Sequence, residues 1–430
     1  MADIPTPHTI AIIGAGVAGP VLALTILSNP ILKQRYRPVI YERLPCPVPT
    51  STATTVLEGN GDGSGSDDPH TRATYAVGAA VALTSNALYP LYSLGLRPSL
   101  DAISCETRRI KIWRSWGGKG RCEHKYCNQI KNPNWQEDLD TNLRVVERAK
   151  LQRLVLDKVQ ELGGAMFWGK KLSDVQNLAG GEMKLCFEGG EEAVASLVVG
   201  ADGGWSLVRR HIVSLSEDGK ESKDKKVNQL DRWKPEFAHA DGIYGVSKPI
   251  ESSETINAGV RQRDIEEVED GDTHWVLLDS GTASTWALPG GRQFWTISFP
   301  SEKPPRREHV TDEMRKPKPL KLYDADITLG GYTLEETEEV LRKYESAWHP
   351  VAGSFGELFR RSERIVRASL WYRAWEEHEI GGKNVVVMGD AARLMLPTSG
   401  QGSFPFHFLH DSIAPSLRSD TAVGLQLTDL

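Results

Sequence analysis

The sequence predicts an α/β fold in which a parallel βαβ unit is interleaved along the chain with a separate antiparallel sheet. Three observations predict it. A glycine-rich turn, Gly14-Ala-Gly16-Val-Ala-Gly19, joins a short apolar strand to an apolar helix. From Gly242 to Pro300 the apolar period drops toward two, in Trp275-Val-Leu-Leu, Thr285-Trp-Ala-Leu and Phe294-Trp-Thr-Ile-Ser-Phe, with Gly-containing turns between them. A late buried strand, Asn384 to Met388, ends in Gly389-Asp390.

In chain order, Thr9 to Ile13 reads as a buried strand and Val17 to Leu27 as a helix that tolerates Pro20 because it falls in the first turn. Pro38 to Tyr41 is a second strand, ending at Glu42, 23 residues past Gly19. Pro45 to Arg72 shifts to Pro, Thr, Gly, Ser and Asp, which bury little, and reads as a flexible surface insertion. Its Gly61, Gly63 and Gly65 form no second fingerprint, since no strand leads in and no helix leads out. Ala76 to Gly95 is partly helical, and Glu147 to Leu162 is an amphipathic helix through Leu151, Leu154, Val155 and Val159. Leu185 to Phe187 and Leu197 to Val199 read as strands, Ser214 to Lys234 as an exposed charged linker, and Leu334 to Trp348 as a helix.

The 430 residues are 40% hydrophobic and 25% charged, which supports a large core. A formal charge of −6 gives no global attraction for nucleic acid, so a small-molecule partner is expected. Ile10 to Leu27 runs 18 residues without a charge, yet no Lys or Arg precedes it, and Gly14, Gly16, Gly19 and Pro20 interrupt it. A nucleotide-binding turn explains those breaks, and no stable membrane insertion is expected. Five cysteines, an odd number, point to a reducing, cytoplasmic compartment. Cys122-Glu-His124-Lys-Tyr-Cys127 lacks a second Cys/His pair at zinc spacing, so no metal site is expected.

The glycine turn alone is a weak signal, equally compatible with a structural βα turn. Its context is more specific: a strand before, a helix after, the small Ala23 where the helix meets the sheet, and Glu42 ending the next strand. Such a turn holds a pyrophosphate on backbone N–H groups and a helix N-terminus, while the acidic residue accepts from ribose hydroxyls. Further signals follow in order. Glu147-Arg148-Ala-Lys-Leu151-Gln-Arg-Leu154 opens the central helix. Val199-Gly200-Ala201-Asp202-Gly203-Gly-Trp-Ser206-Leu-Val-Arg209 ends one strand, and Gly389-Asp390-Ala391-Ala392-Arg393-Leu-Met-Leu-Pro397-Thr-Ser-Gly400-Gln401-Gly402 ends another.

With these motifs the sequence resembles the FAD-dependent aromatic hydroxylases, single-component flavoprotein monooxygenases that include salicylate hydroxylase-like and kynurenine monooxygenase-like enzymes. The resemblance covers roughly residues 8 to 402. It implies a Rossmann-like FAD-binding domain with an interleaved antiparallel substrate-binding sheet. The FAD domain would take residues 8–240, including the insertion at 45–72, and 331–402. The substrate sheet would take 241–330, and 403–430 would form an atypical tail. NAD(P)H would serve as co-substrate without a second Rossmann domain. The implied reaction is hydroxylation or epoxidation of an aromatic or secondary-metabolite molecule through a flavin C4a-hydroperoxide.

Carried across by residue, the resemblance assigns Gly14, Gly16, Gly19 and Glu42 to the ADP half of FAD. Gly78 and Ala80 fall in the loop beside the flavin, where Gly is commoner at the Ala80 position. Arg148 would contact the flavin, Asp202 belongs to the second fingerprint, and Asp390 would accept from ribityl hydroxyls. Gly402 and Ser403 would edge the flavin ring, the helix N-terminus at Gly402 stabilising negative charge. Each polar residue also has a plain structural role: Arg148 a solvated helix arginine, Asp202 a strand-end turn residue, Asp390 a helix N-cap.

Some features depart from the family. Arg393 stands where relatives commonly have His. The strand Asp241-Gly-Ile-Tyr244-Gly245 lacks an arginine that some relatives carry, so no catalytic base is assigned. After Gly402 the family continues into a long helix, whereas here Pro405 and Pro415 allow about two turns. That tail favours an alternative, an inactive FAD-binding remnant. Another flavin oxidoreductase, such as a halogenase, would need Trp-x-Trp-x-Ile-Pro, which Ile112-Trp113-Arg-Ser-Trp116 does not match.

Overall fold

The computed structural model describes residues 7–46, 80–117, 123–217, 231–249, 272–306 and 316–396. The glycine-rich turn sits in a six-stranded sheet ordered Gly381–Gly382, Val385–Val387, Leu197–Gly200, His8–Ile13, Tyr36–Tyr41 and Ala165–Phe167. All pairings among the last five strands are parallel. Ile12, Val198 and Ile40 are almost wholly buried because both faces of the sheet are covered, which is why these strands read as continuous apolar runs. On one face pack the helices Ala18–Ser28 and Arg148–Glu161. On the other pack the helix Leu207–Glu217 and a small antiparallel sheet of Leu172–Asn177, Met183–Phe187 and Glu192–Ala195.

The second large sheet runs in the order Lys318–Leu320, Ala325–Thr328, Ser362–Ala374, Glu236–Ser247, Arg292–Pro300, Gly281–Leu288, Asp272–Leu278, Arg109–Trp116 and Glu123–Lys131, with Arg393–Leu394 pairing off this path. It draws strands from both sides of residues 241–330, and two of its pairings are parallel rather than antiparallel. The alternation is clear. Ile243, Trp295 and Ile297 face a core completed by Phe355, Leu358 and Phe359. Tyr244, Trp275, Trp286 and Phe294 point the other way, toward Ala80 and Val145. Ala80 belongs to a three-stranded sheet of Ala80–Leu83, Arg144–Glu147 and Ser104–Glu106, which bridges the two large sheets.

Two sequence expectations need correction. The partly helical pattern from Ala76 to Gly95 becomes the strand Ala80–Leu83 followed by the helix Ser85–Ser93, because Val81 and Leu83 pair with Val146 and Arg144. Ser214 to Lys234 is not a wholly exposed linker: the helix Leu207–Glu217 runs into it, and the Trp233 carbonyl accepts from buried Arg209. The insertion beyond Cys46, Cys122, Gly78 and the 403–430 tail lie outside the described residues. Among those described, no helix is long and apolar enough to cross a membrane, and no group of three His, Cys, Asp or Glu side chains is placed for a metal.

Candidate cofactor cleft

Four neighbouring parallel strands end on the same edge, and each ends in a residue singled out from the sequence. His8–Ile13 runs into Gly14, Tyr36–Tyr41 into Glu42, Leu197–Gly200 into Ala201-Asp202, and Val385–Val387 into Gly389-Asp390. In open parallel sheets this edge is where ligands bind, because the turns there expose backbone N–H groups and helix starts.

Gly14 has φ +109°, and a Cβ there would collide with the Ala201 carbonyl, so the turn closes this tightly only with glycine. A Cβ on Gly19 would strike the Gly14 carbonyl and approach Ala201 Cβ at 3.3 Å. The helix that follows begins at Ala18, and its N-cap residue, Val17, provides no side-chain cap, leaving the first N–H groups at the cleft edge. Glu42 fixes this turn from the next strand. Its Oε2 accepts from Ala15 N at 2.7 Å and its Oε1 from Leu44 N at 3.0 Å. Gln152, which the sequence did not mark, donates to the Ala15 carbonyl at 2.5 Å.

Arg148 opens the central helix beside Ala80, since Ala80 pairs with Glu147. Its Nη2 lies 3.4 Å from where a Gly16 Cβ would stand, and it makes no hydrogen bond among the described residues. Asp390 lies in a one-turn 3₁₀ segment, Gly389–Ala391, and caps nothing. Solvent reaches Asp390, yet crowding by the surrounding turns raises its pKa by desolvation, with the Arg148 charge acting against the rise. Asp390 stands at this strand-end edge and has no hydrogen bond among the described residues.

Asp202 has a definite structural role. Its Oδ2 accepts from Leu207 N at 2.8 Å and Val208 N at 3.3 Å, capping the helix Leu207–Glu217. The other oxygen, Oδ1, is buried without a partner. Burial raises this carboxyl's pKa, and the hydrogen bonds from Ser206 and the backbone oppose the rise.

The two acidic turns are held together by Arg209, quoted in the second motif but given no role from sequence. Fully buried, it donates to the Ala391, Gly204 and Trp233 carbonyls and lies over the Trp375 ring at 3.4 Å. Burial pulls its pKa down, and Asp202 counters that.

No family model matches the chain. A FAD-dependent monooxygenase, pynG of Aspergillus niger, is 20% identical over 339 residues, 76% of this chain and 67% of the relative. The 3-amino-4-hydroxybenzoate 2-monooxygenase of Streptomyces cremeus is 32% identical over 151 residues, 32% of this chain and 33% of that protein. Klebsiella pneumoniae HpxO, solved with FAD and uric acid, superposes with a TM-score of 0.60 at 16% identity, covering 94% of this chain and 78% of its own. The chain is similar in sequence to FAD-dependent monooxygenases and shares the fold of a solved FAD-binding protein. The chain spans about two thirds of the first of these relatives and one third of the second.

FAD is named for pynG and is bound in HpxO, and the cleft here fits that cofactor. The glycine turn leaves room for a pyrophosphate beside an uncapped helix start. A cation without a hydrogen-bonding partner faces the turn, and an accessible carboxylate and a buried orphan oxygen follow. Gly14, Gly16, Gly19, Glu42, Ala80, Arg148, Asp202 and Asp390 are all described. Gly78, Gly402 and Ser403 lie outside the described residues.

Proposed function

We propose that the chain is a monooxygenase that hydroxylates, or epoxidises, an aromatic small molecule with NAD(P)H and O₂, using FAD held in the cleft. The observation that carries this reading is the convergence of four strand ends bearing Gly14, Glu42, Asp202 and Asp390 on one edge. Bound FAD, once reduced, supplies the activation of oxygen; the protein supplies everything around it.

Gly14, Gly16 and Gly19 let the pyrophosphate approach the backbone, with Arg148 and the helix start at Ala18 supplying positive potential. Glu42 keeps a free lone pair on each oxygen beyond its two backbone bonds, enough to accept from ribose hydroxyls. Asp390 accepts from the ribityl chain, and Asp202 Oδ1 gains a partner on the same side. Ala80, beside Arg148, borders the ring. On the cleft-facing side of the second sheet, half-buried Tyr244, Trp275 and Trp286 with Phe294 form an aromatic wall that orients a flat substrate and excludes water.

The test is direct. Full-length protein should purify yellow with one FAD and should consume NAD(P)H under air faster when a substrate from an aromatic panel is added, with oxygenated product by mass spectrometry. A folded chain that takes up no FAD overturns the reading. Stable FAD without substrate-stimulated turnover identifies the inactive alternative.

A further inference from the structure

The loop 132–142 joins the exposed edge strand Glu123–Lys131 to the strand Arg144–Glu147 and, with Glu106 and Arg108, encloses a cavity of about 420 Å³. The walls of this cavity are held in place. Asn132 N donates to the Arg108 carbonyl at 2.8 Å and Leu143 N to the Pro133 carbonyl at 3.1 Å, Gln136 bridges to Thr141, and Leu139 is buried in the core around the central helix. The cavity is separate from the cofactor cleft. Glu106 pairs with Arg144, which stands about 10 Å along its strand from Glu147, the residue before Arg148.

Asn142 lines the cavity and is only 3% exposed. Its Nδ2 and its backbone N both donate to Glu106 Oε1, at 2.8 and 2.9 Å. A carboxylate only accepts, so these bonds fix which end of the amide is nitrogen and leave Oδ1 as a buried acceptor with no donor. Such an oxygen is costly unless something donates to it. Burial pushes the Glu106 carboxyl up, but the two Asn142 donors, with Arg108 and Arg144, outweigh it and leave the pKa below its ordinary value, so Glu106 is charged at neutral pH. Arg108, the cation of the lining, is 66% exposed and stands 3.6 Å from Glu106 Oε2. Among the described residues the Asp140 carboxylate makes no hydrogen bond or ion pair. Trp135, 45% exposed, presents its ring beside these groups rather than to the core.

We infer that this cavity is a binding site for a small organic ammonium ion that carries at least one N–H. Such an ion donates to Asn142 Oδ1 and meets the Glu106 and Asp140 carboxylates at the same time. A neutral hydroxyl compound donates to Oδ1 but leaves the two carboxylates matched by Arg108 alone, and an anion adds to the imbalance. Trp is the ring that holds a cation best, which gives exposed Trp135 its part. Because the loop is already fixed by its own hydrogen bonds, binding orders little of the chain. The site needs neither the flavin nor the substrate of the cleft.

The experiment titrates the full-length chain by calorimetry with three probes: butylammonium, butyltrimethylammonium and butanol. Butylammonium should give a saturable heat at one site, butyltrimethylammonium should bind more weakly for want of an N–H, and butanol should not saturate. Asn142→Leu, which removes the orphan acceptor at similar volume, should weaken butylammonium about tenfold or more and leave butyltrimethylammonium unchanged. That variant also takes a donor from Glu106, so two surface variants carry the test if it does not fold. Asp140→Asn keeps a residue that tolerates the backbone φ of +48°, and it and Trp135→Leu should each weaken both ammonium probes about two- to fivefold. Flavin content and the thermal midpoint should be unchanged in these two. Equal affinity for butanol and butylammonium, no saturable heat from either ammonium probe, or full affinity in both Asp140→Asn and Trp135→Leu overturns the inference.

Discussion

Asp390 is the most informative carboxylate of the cleft, because it alone is accessible, desolvated and without a structural bond of its own. Asp390→Ala should weaken FAD binding by about 1.5 to 3 kcal/mol, the range for a hydrogen bond to a charged group. Asp174→Ala, at an exposed position of the strand Leu172–Asn177, should leave the flavin fluorescence titration unchanged. Arg209 predicts a different phenotype. Arg209→Leu leaves three carbonyls without their donor and should cost about 3 to 5 kcal/mol in urea unfolding, even without cofactor. Gly14→Val should fold less stably and bind no FAD, since its side chain would meet the Ala201 carbonyl at a positive φ.

The parallel strands and the fingerprint helix were legible in the sequence because both are apolar throughout and punctuated by glycine, and their boundaries shift by only a residue or two. The strand Glu123–Lys131 carried no such signal. It is exposed along nearly its whole length on the sheet's edge, so EHKYCNQIK has no apolar face to display. Ser362–Ala374 was hidden for the opposite reason: Arg364, Arg367 and Arg373 interrupt its apolar pattern, and the partner that neutralises Arg367 is Asp241, 126 positions away. The same distance effect concealed Gln152 and Arg209, whose acceptors lie 137 and up to 182 positions off. Motif spacing records local geometry, whereas these contacts exist only once the chain has folded.

The strand Asp272–Leu278 also sets the response to acid. His274 accepts from Trp113 Nε1 at 3.2 Å, and burial lowers its pKa to about 4. His349 accepts from Val351 N and Ala352 N through Nδ1 and is held well below its usual range, by burial first and then by His274. Both stay neutral in the fold but gain a proton in the unfolded chain below about pH 6.5. The unfolded state then binds more protons, so stability falls as pH drops from about 6.5 toward 4. Lys111 and Arg109 disfavour the His274 charge, and Asp272 favours it. Asp202 and Asp390 act with the opposite sign, since protonation relieves their buried charge. Urea midpoints at pH 7 and pH 5 should show the loss, and His274→Gln, which keeps an acceptor for Trp113, should reduce it. A wild-type midpoint that rises on acidification would mean that the carboxylates dominate.

Across the whole molecule, the cleft is assembled from the first, middle and last thirds of the described chain, so cofactor binding and global stability are linked. FAD at about 100 times its dissociation constant should stabilise the fold by about 2.7 kcal/mol, read as a rise in the thermal midpoint. Gly14→Val should lose that rise. A midpoint insensitive to FAD would separate the cleft from the cooperative core.

The position of Val385–Val387 in the parallel sheet carries a consequence for biosynthesis. This strand is the partner of Leu197–Gly200, yet it leaves the ribosome almost two hundred residues later. Until then Leu-Val-Val-Gly is an unpaired, wholly apolar edge, a site for chaperone binding or mispairing. The turn that carries Asp390 does not exist in that interval, and Arg209 lacks its Ala391 acceptor. Nascent chains halted before residue 385 should therefore hold no flavin and should engage chaperones strongly, which makes cofactor capture wait on the synthesis of Val385–Val387 and the turn after it.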